Sequence, residues 1–146
     1  MSASHIPGIY HLILHLDQQA TIRVGRLGRF TFPPGCYIYT GSAMGGLEAR
    51  VARHLRQRKT LRWHIDYLLR KARVVQVVTI PTWQRIECAR NQAVLSLPGA
   101  SVIAPRFGAS DCRCAAHLAY FRKPPVAEWL IAQPRRTRPA GSGSDS

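Results

Sequence analysis

Between Gly8 and Leu16 the chain alternates, with Tyr10, Leu12, Leu14 and Leu16 on one parity and His11 and His15 on the other. Successive side chains of a strand point to opposite faces, so this pattern predicts a strand with one face buried and one wet. Asp17-Gln18-Gln19-Ala20 suits a turn, after which Thr21 to Val24 can return as a second strand. Gly25 and Gly28 interrupt the next stretch, and Phe30-Thr31-Phe32 runs into Pro33-Pro34-Gly35, a strong turn signal. Cys36 to Thr40 is aromatic and β-branched enough for a further strand.

The period then changes. After Gly45-Gly46, Leu47, Val51 and Leu55 recur at i, i+4 and i+8, which predicts an amphipathic helix. Arg50 and His54 border that stripe four residues apart, so both should look into the seam between helix and sheet, while Arg53 and Arg56 point to solvent. Ile65 to Leu69 is a second amphipathic stretch ending in Arg70-Lys71, and Val74 to Ile80 is an apolar run stopped by Pro81, consistent with a strand. Ile86 to Leu95 reads as a third helix closed by Pro98-Gly99. The expected fold is a small α+β domain over residues 6–133, a mostly antiparallel sheet flanked by helices. From Pro134 to Ser146 the chain turns to Pro, Arg, Gly and Ser, which predicts a disordered basic tail.

Charge sharpens the picture. In 146 residues, enough for one core, Lys and Arg number 21 against 7 Asp and Glu, a formal charge of +14. Such an imbalance points to a polyanionic partner, a nucleic acid or an anionic membrane surface. Arg53, Arg56, Arg58, Lys59 and Arg62 are the densest run on expected structure and would form an electrostatic track. No stretch approaches the ~20 apolar residues of a membrane span, and Met1 to His5 lacks the charged start and apolar core of a signal peptide. The expectation is a cytoplasmic chain with no membrane partner.

Scarcity of acids narrows the candidate metal ligands. Asp17 and Glu48 fall in a turn or on a polar face, Glu128 and Asp145 near the end, leaving Asp66, Glu87 and Asp111. Cys112-x-Cys114-x-x-His117 offers soft ligands that could hold zinc, with Cys88, Cys36 or His64 as a fourth. Its Cys-x-Cys spacing is tighter than the usual zinc knuckle and no second pair is near in sequence, which weighs toward buried structural thiols. His64 and Asp66 are expected to cap or brace the second helix.

Several blocks, taken in order, resemble a known family. They are Gly8-Ile9-Tyr10, Tyr37-Ile38-Tyr39-Thr40-Gly41-Ser42, the run Leu47 to His54, Trp63-His64-Ile65-Asp66-Tyr67, Glu87 to Asn91, and Phe107 to Cys114. Together they resemble the GIY-YIG nuclease superfamily, most of all its small prokaryotic Uri-type branch, from about Ile6 to Tyr120. The resemblance implies a metal-dependent endonuclease that hydrolyses DNA, in repair or processing. The alternatives are a binding module without catalysis and a nuclease acting on RNA. It also implies roles. Tyr10 would accept a proton, if nearby cations lower its pKa, or orient the attacking water. Tyr39 would support the site, with Tyr37 a rival on the same strand face. Arg50 would meet phosphate oxygens, His54 the phosphate or the tyrosine hydroxyl, and Glu87 a single Mg²⁺ or Mn²⁺. The segment from about Thr21 to Pro34 would be an extra β-excursion between the two tyrosine motifs. Thr40 stands where an aliphatic residue is usual and, facing away from Tyr39, should matter little.

Overall fold

The computed structural model describes residues 5–127. Its elements, in order, are β1 (Gly8–Leu16), β2 (Ala20–Val24), β3 (Gly28–Phe32), β4 (Gly35–Ala43), α1 (Leu47–Leu55), α2 (His64–Leu68), β5 (Arg73–Pro81), α3 (Glu87–Leu95) and β6 (Leu118–Phe121). Four strands form an antiparallel sheet in the order β5-β1-β4-β6, and β2 pairs with β3 as a separate hairpin. The fold is α+β, as the periodicity predicts, and the hairpin is the excursion between the two tyrosine motifs. The expected tail, Pro134 to Ser146, lies outside the described residues.

One expectation about β1 is corrected. It is not half-buried: every residue from Gly8 to Leu14 is buried. As a central strand it is covered on both faces. One face joins Tyr10, Leu12 and Leu14 to Tyr39, Leu47, Ile65, Leu68 and Phe107. The other packs Ile13 with Ile38, Val78, Val94, Ala119 and Phe121. His11 therefore lies inside, its Nδ1 2.8 Å from the hydroxyl of Thr40. Thr40 matters more than its sequence context suggests, because a buried imidazole needs such a partner.

The glycines of the two motifs have a steric origin. A Cβ on Gly8 would strike the Ile80 carbonyl and the Leu47 side chain. Gly41 pairs with Tyr10 across β1 and β4, and a Cβ there would sit 2.5 Å from the tyrosine hydroxyl. The bare backbone at position 41 is what lets the Tyr10 ring lie across the sheet.

Helix α1 begins where the Leu47 amide donates to the carbonyl of Ile6 at 2.7 Å, and buries Leu47 and His54. Leu55 departs from the predicted stripe and is 51 % exposed, because the helix ends there. At α2 the Asp66 carboxylate accepts the backbone N–H groups of Arg62 and Trp63 at 2.7 and 2.9 Å. These are amide donors that a helix start otherwise leaves unsatisfied, so Asp66 caps the helix as expected. Strand β6, only four residues long, has too little pattern to be predicted and forms by pairing with β4.

Candidate functional site

β1, β4, α1 and α3 bring five sequence-distant side chains together. Tyr10 points from β1 toward α1, and its hydroxyl lies 2.7 Å from Nε2 of His54. Tyr39, two residues before the Gly41 that faces Tyr10, packs its ring 6.2 Å from each of Tyr10 and His54. Tyr37 is elsewhere. It donates its hydroxyl to the Pro33 carbonyl and stacks against Tyr120 at 5.0 Å, so of the two rivals only Tyr39 faces the cluster.

Arg50 donates from Nη1 to the Ser42 carbonyl at 2.9 Å and lies over the Trp63 ring at 4.7 Å. Glu87, at the start of α3, hydrogen-bonds the Ser42 side chain. Ser42 thus stands between the arginine and the carboxylate. Glu87 is further held by His117, whose Nδ1–H lies 3.0 Å from Oε2 and 3.1 Å from the Thr40 carbonyl. A cavity of about 240 Å³ opens here, lined by Ser42, Arg85, Glu87, Asp111 and His117 among others.

The condition for Tyr10 to accept a proton, a lowered pKa, is not met in this packing. Burial raises its pKa well above the ordinary tyrosine value, and Arg50, which lowers it, does not win. Desolvation outweighs the cation, so the ground state is a neutral phenol. Burial likewise holds His54 at about 4, against the pull of Asp66, so the imidazole is neutral. Its Nδ1 is buried without a hydrogen-bond partner among the described residues. An orphaned acceptor costs less than an orphaned N–H, which favours the tautomer that carries its proton on Nε2. Nε2–H then donates to the Tyr10 oxygen and leaves the phenolic proton free to point elsewhere. For Glu87, burial works to raise the carboxyl, but His117, Ser42 and Arg50 outweigh it and keep it ionised.

Two further expectations fail on contact. Arg53 does not point to solvent: it makes a two-pronged pair with Asp66, at 2.9 and 3.1 Å, and covers Trp63 at 4.2 Å. Asp66 is accordingly no metal ligand, since it is fully buried and committed to Arg53 and two backbone amides. Lys59 turns back to the end of α1, donating to the His54 carbonyl at 3.0 Å. Arg56, Arg58 and Lys59 line a basic cavity of about 890 Å³ with Arg70 and Arg73, which His54 borders. Arg62 is exposed with its guanidinium 5.4 Å from the Trp63 ring centre.

The cysteines gather where the sequence spacing argued against it. Cys88, Cys112, Cys114 and His117 place their ligand atoms within 4.8 Å of one another, a Cys₃His group that could hold a metal ion. The fourth member comes from α3, one residue after Glu87 and 24 positions before Cys112. Cys36 lies buried in the other core layer, and His64 instead accepts the Gly108 amide at 2.7 Å. Partial desolvation and the neighbouring Cys114 and Cys112 thiols push the exposed Cys88 up to about 12. Arg106 braces the loop, donating to the carbonyls of Cys114, Ala109 and Cys112. Asn91 ties α3 to the same segment through the Ala116 carbonyl at 2.7 Å.

The profile of one known family matches residues 9–136, nearly all of the chain. The chain belongs to the family described as Domain of unknown function DUF123. No curated protein and no solved structure matches it. The match to DUF123 covers Tyr10, Tyr39, Arg50, His54, Glu87 and the Cys₃His group alike. No described helix is long and apolar enough to cross a membrane.

Three links in this site are invisible in the sequence. Trp63 is the platform for Arg50 and Arg53, Ser42 joins Arg50 to Glu87, and His117 joins Glu87 to the thiols. Each residue lies in or beside one of the motif blocks, but no local pattern says which partner it meets.

Proposed function

We propose that this chain is a metal-dependent endonuclease of the GIY-YIG type that hydrolyses DNA phosphodiester bonds by attack of water. The observation that carries the reading is the convergence of Tyr10, His54, Arg50 and Glu87, linked through the Tyr10–His54 hydrogen bond of 2.7 Å and the shared contact at Ser42. Phosphodiester hydrolysis needs a positioned water, a cation for the charge developing on the phosphate, and help for the leaving oxygen.

Each need has a residue. Arg50, over the Trp63 ring and fixed by Ser42, offers its remaining N–H groups to phosphate oxygens. Tyr10, a neutral phenol accepting from His54, orients the water through its own hydroxyl. Glu87 fits a hard divalent ion: its side chain is 30 % exposed, it is ionised, and Asp111 shares its cavity. Mg²⁺ is commonly held by one or two carboxylates with water and substrate phosphate completing its shell. When bound, such an ion supplies Lewis acidity on the leaving-oxygen side. The thiol-rich group beside it suits a soft ion of the zinc type, so the two sets of ligands do not compete. The formal charge of +14 and the basic cavity bordering His54 favour a nucleic-acid backbone as substrate.

The test is cleavage of labelled single-stranded, duplex and branched DNA, and the matching RNAs, with Mg²⁺ or Mn²⁺ and with chelator. The expected result is metal-dependent cutting of DNA that Arg50→Ala and Glu87→Gln each reduce about 10²–10³-fold. Cutting of RNA alone would change the substrate class. No cutting of any substrate, with tight binding retained, would leave a binding module.

A further inference from the structure

We infer that Cys88, Cys112, Cys114 and His117 bind one Zn²⁺ in a tetrahedral S₃N site, and that His117 transmits the ion's hold to Glu87. The four donor atoms lie within 4.8 Å of one another, near the spacing that one ion would draw them to. A tetrahedral zinc with Zn–S of about 2.3 Å and Zn–N of about 2.0 Å has ligand-to-ligand edges of roughly 3.5–3.8 Å. Here Nε2 of His117 lies 3.3 Å from Sγ of Cys112 and 3.9 Å from Sγ of Cys88. All four cysteines are free, so no disulfide consumes the thiols.

The frame is already rigid. Arg106 has a left-handed backbone, φ 69°, and clamps the loop carbonyls from Ala109 to Cys114, while the His117 amide donates to the Phe107 carbonyl at 2.7 Å. Asn91 fastens α3, and with it Cys88, to Ala116. Three thiolates and one imidazole on a pre-bent loop and a helix end form a closed donor set, which is the pattern of structural zinc.

His117 faces two ways. Nε2 points at the thiols, and Nδ1–H points at Glu87 and the Thr40 carbonyl. Ligation at Nε2 fixes the ring and leaves the proton on Nδ1, making a carboxylate–histidine–zinc relay that orients Glu87. Glu87 is thus held in place from behind by one ion while its carboxylate lines the cavity. The consequence for catalysis rests on the nuclease reading, but the relay does not, and it is tested without any substrate.

The full-length chain, reduced and freed of metal, is titrated with Zn²⁺ against a competing chelator and separately with Co²⁺. Expected are one ion per chain and a Co²⁺ spectrum with the intense visible bands and thiolate charge-transfer absorption of a tetrahedral thiolate site. Glu87→Gln, which removes no proposed zinc ligand, is expected to weaken Zn²⁺ binding about 10–100-fold, the usual cost of losing such an outer partner. Absence of binding at equimolar Zn²⁺ with the three site thiols still reactive, or a disulfide among those three by mass after air exposure in excess Zn²⁺, overturns the site. Unchanged Zn²⁺ affinity in Glu87→Gln overturns the relay and leaves the site standing. None of these outcomes depends on whether the protein cuts DNA.

Discussion

Gly41→Ala places a methyl group where Tyr10 already is. The new Cβ would sit 2.5 Å from the tyrosine hydroxyl and 2.6 Å from Cζ, whereas non-bonded carbons rest at about 3.5–4.0 Å. The ring must therefore move by about 1 Å. It has little room, being 1 % exposed and packed with ring centroids at 6.2 Å from Tyr39 and 5.3 Å from His54. Overpacking of this kind costs about 1–3 kcal/mol. Pulling the hydroxyl away from His54 strands two buried polar groups, which adds about 1–3 kcal/mol. Alanine's better strand entropy returns only about 0.5–1 kcal/mol, so the steric effect wins. The assay is urea denaturation, where the midpoint should fall at unchanged slope. The same substitution in a Tyr10→Leu background, where the ring is gone, should cost at least about 1 kcal/mol less. Effects that add to within about 0.5 kcal/mol would show that the two positions do not touch, and would refute the steric account of the motif glycine.

Asp66→Asn should destabilise the fold by about 3–5 kcal/mol, read by thermal or chemical unfolding, because it leaves the largely buried Arg53 guanidinium without its carboxylate. A loss near zero would mean that Arg53 swings freely to solvent. His11 should make the protein acid-sensitive. Burial, with Arg90 nearby, holds His11 at about 3, so below the unfolded-state value near 6.5 the unfolded chain binds a proton that the folded chain refuses. Stability then falls as pH drops, by about 1.4 kcal/mol per pH unit for this group. His11→Gln should remove that part of the slope between pH 6.5 and 5, and identical slopes in the two proteins would refute it. Finally, if Arg56 and Arg58 contact phosphates, replacing both with alanine should flatten the salt dependence of DNA binding by up to about 1.8 log units per log unit of salt. An unchanged slope would place the DNA elsewhere.

Local pattern was enough for most of the framework. Alternation revealed β1, the 3.6-residue period revealed α1, and the paired prolines and glycines marked the turns, because strand and helix periods are properties of consecutive residues. The i, i+4 spacing also set Arg50 and His54 on one helix face, and that is how they meet Tyr10. What sequence could not decide were the matters that depend on a second element arriving. The polar-looking face of β1 is buried because α3 lands on it, so His11 became a core residue and Thr40 its partner. Arg53 looked like a solvent residue until Asp66, 13 positions later, folded back onto it. Tyr10 stands beside a cation, yet burial, a property of the whole packed domain, dominates its proton affinity. The Cys₃His group shows the same limit most plainly. Cys112, Cys114 and His117 are neighbours along the chain, but Cys88 reaches them only because α3 packs beside their loop, and the link from His117 to Glu87 exists only in three dimensions.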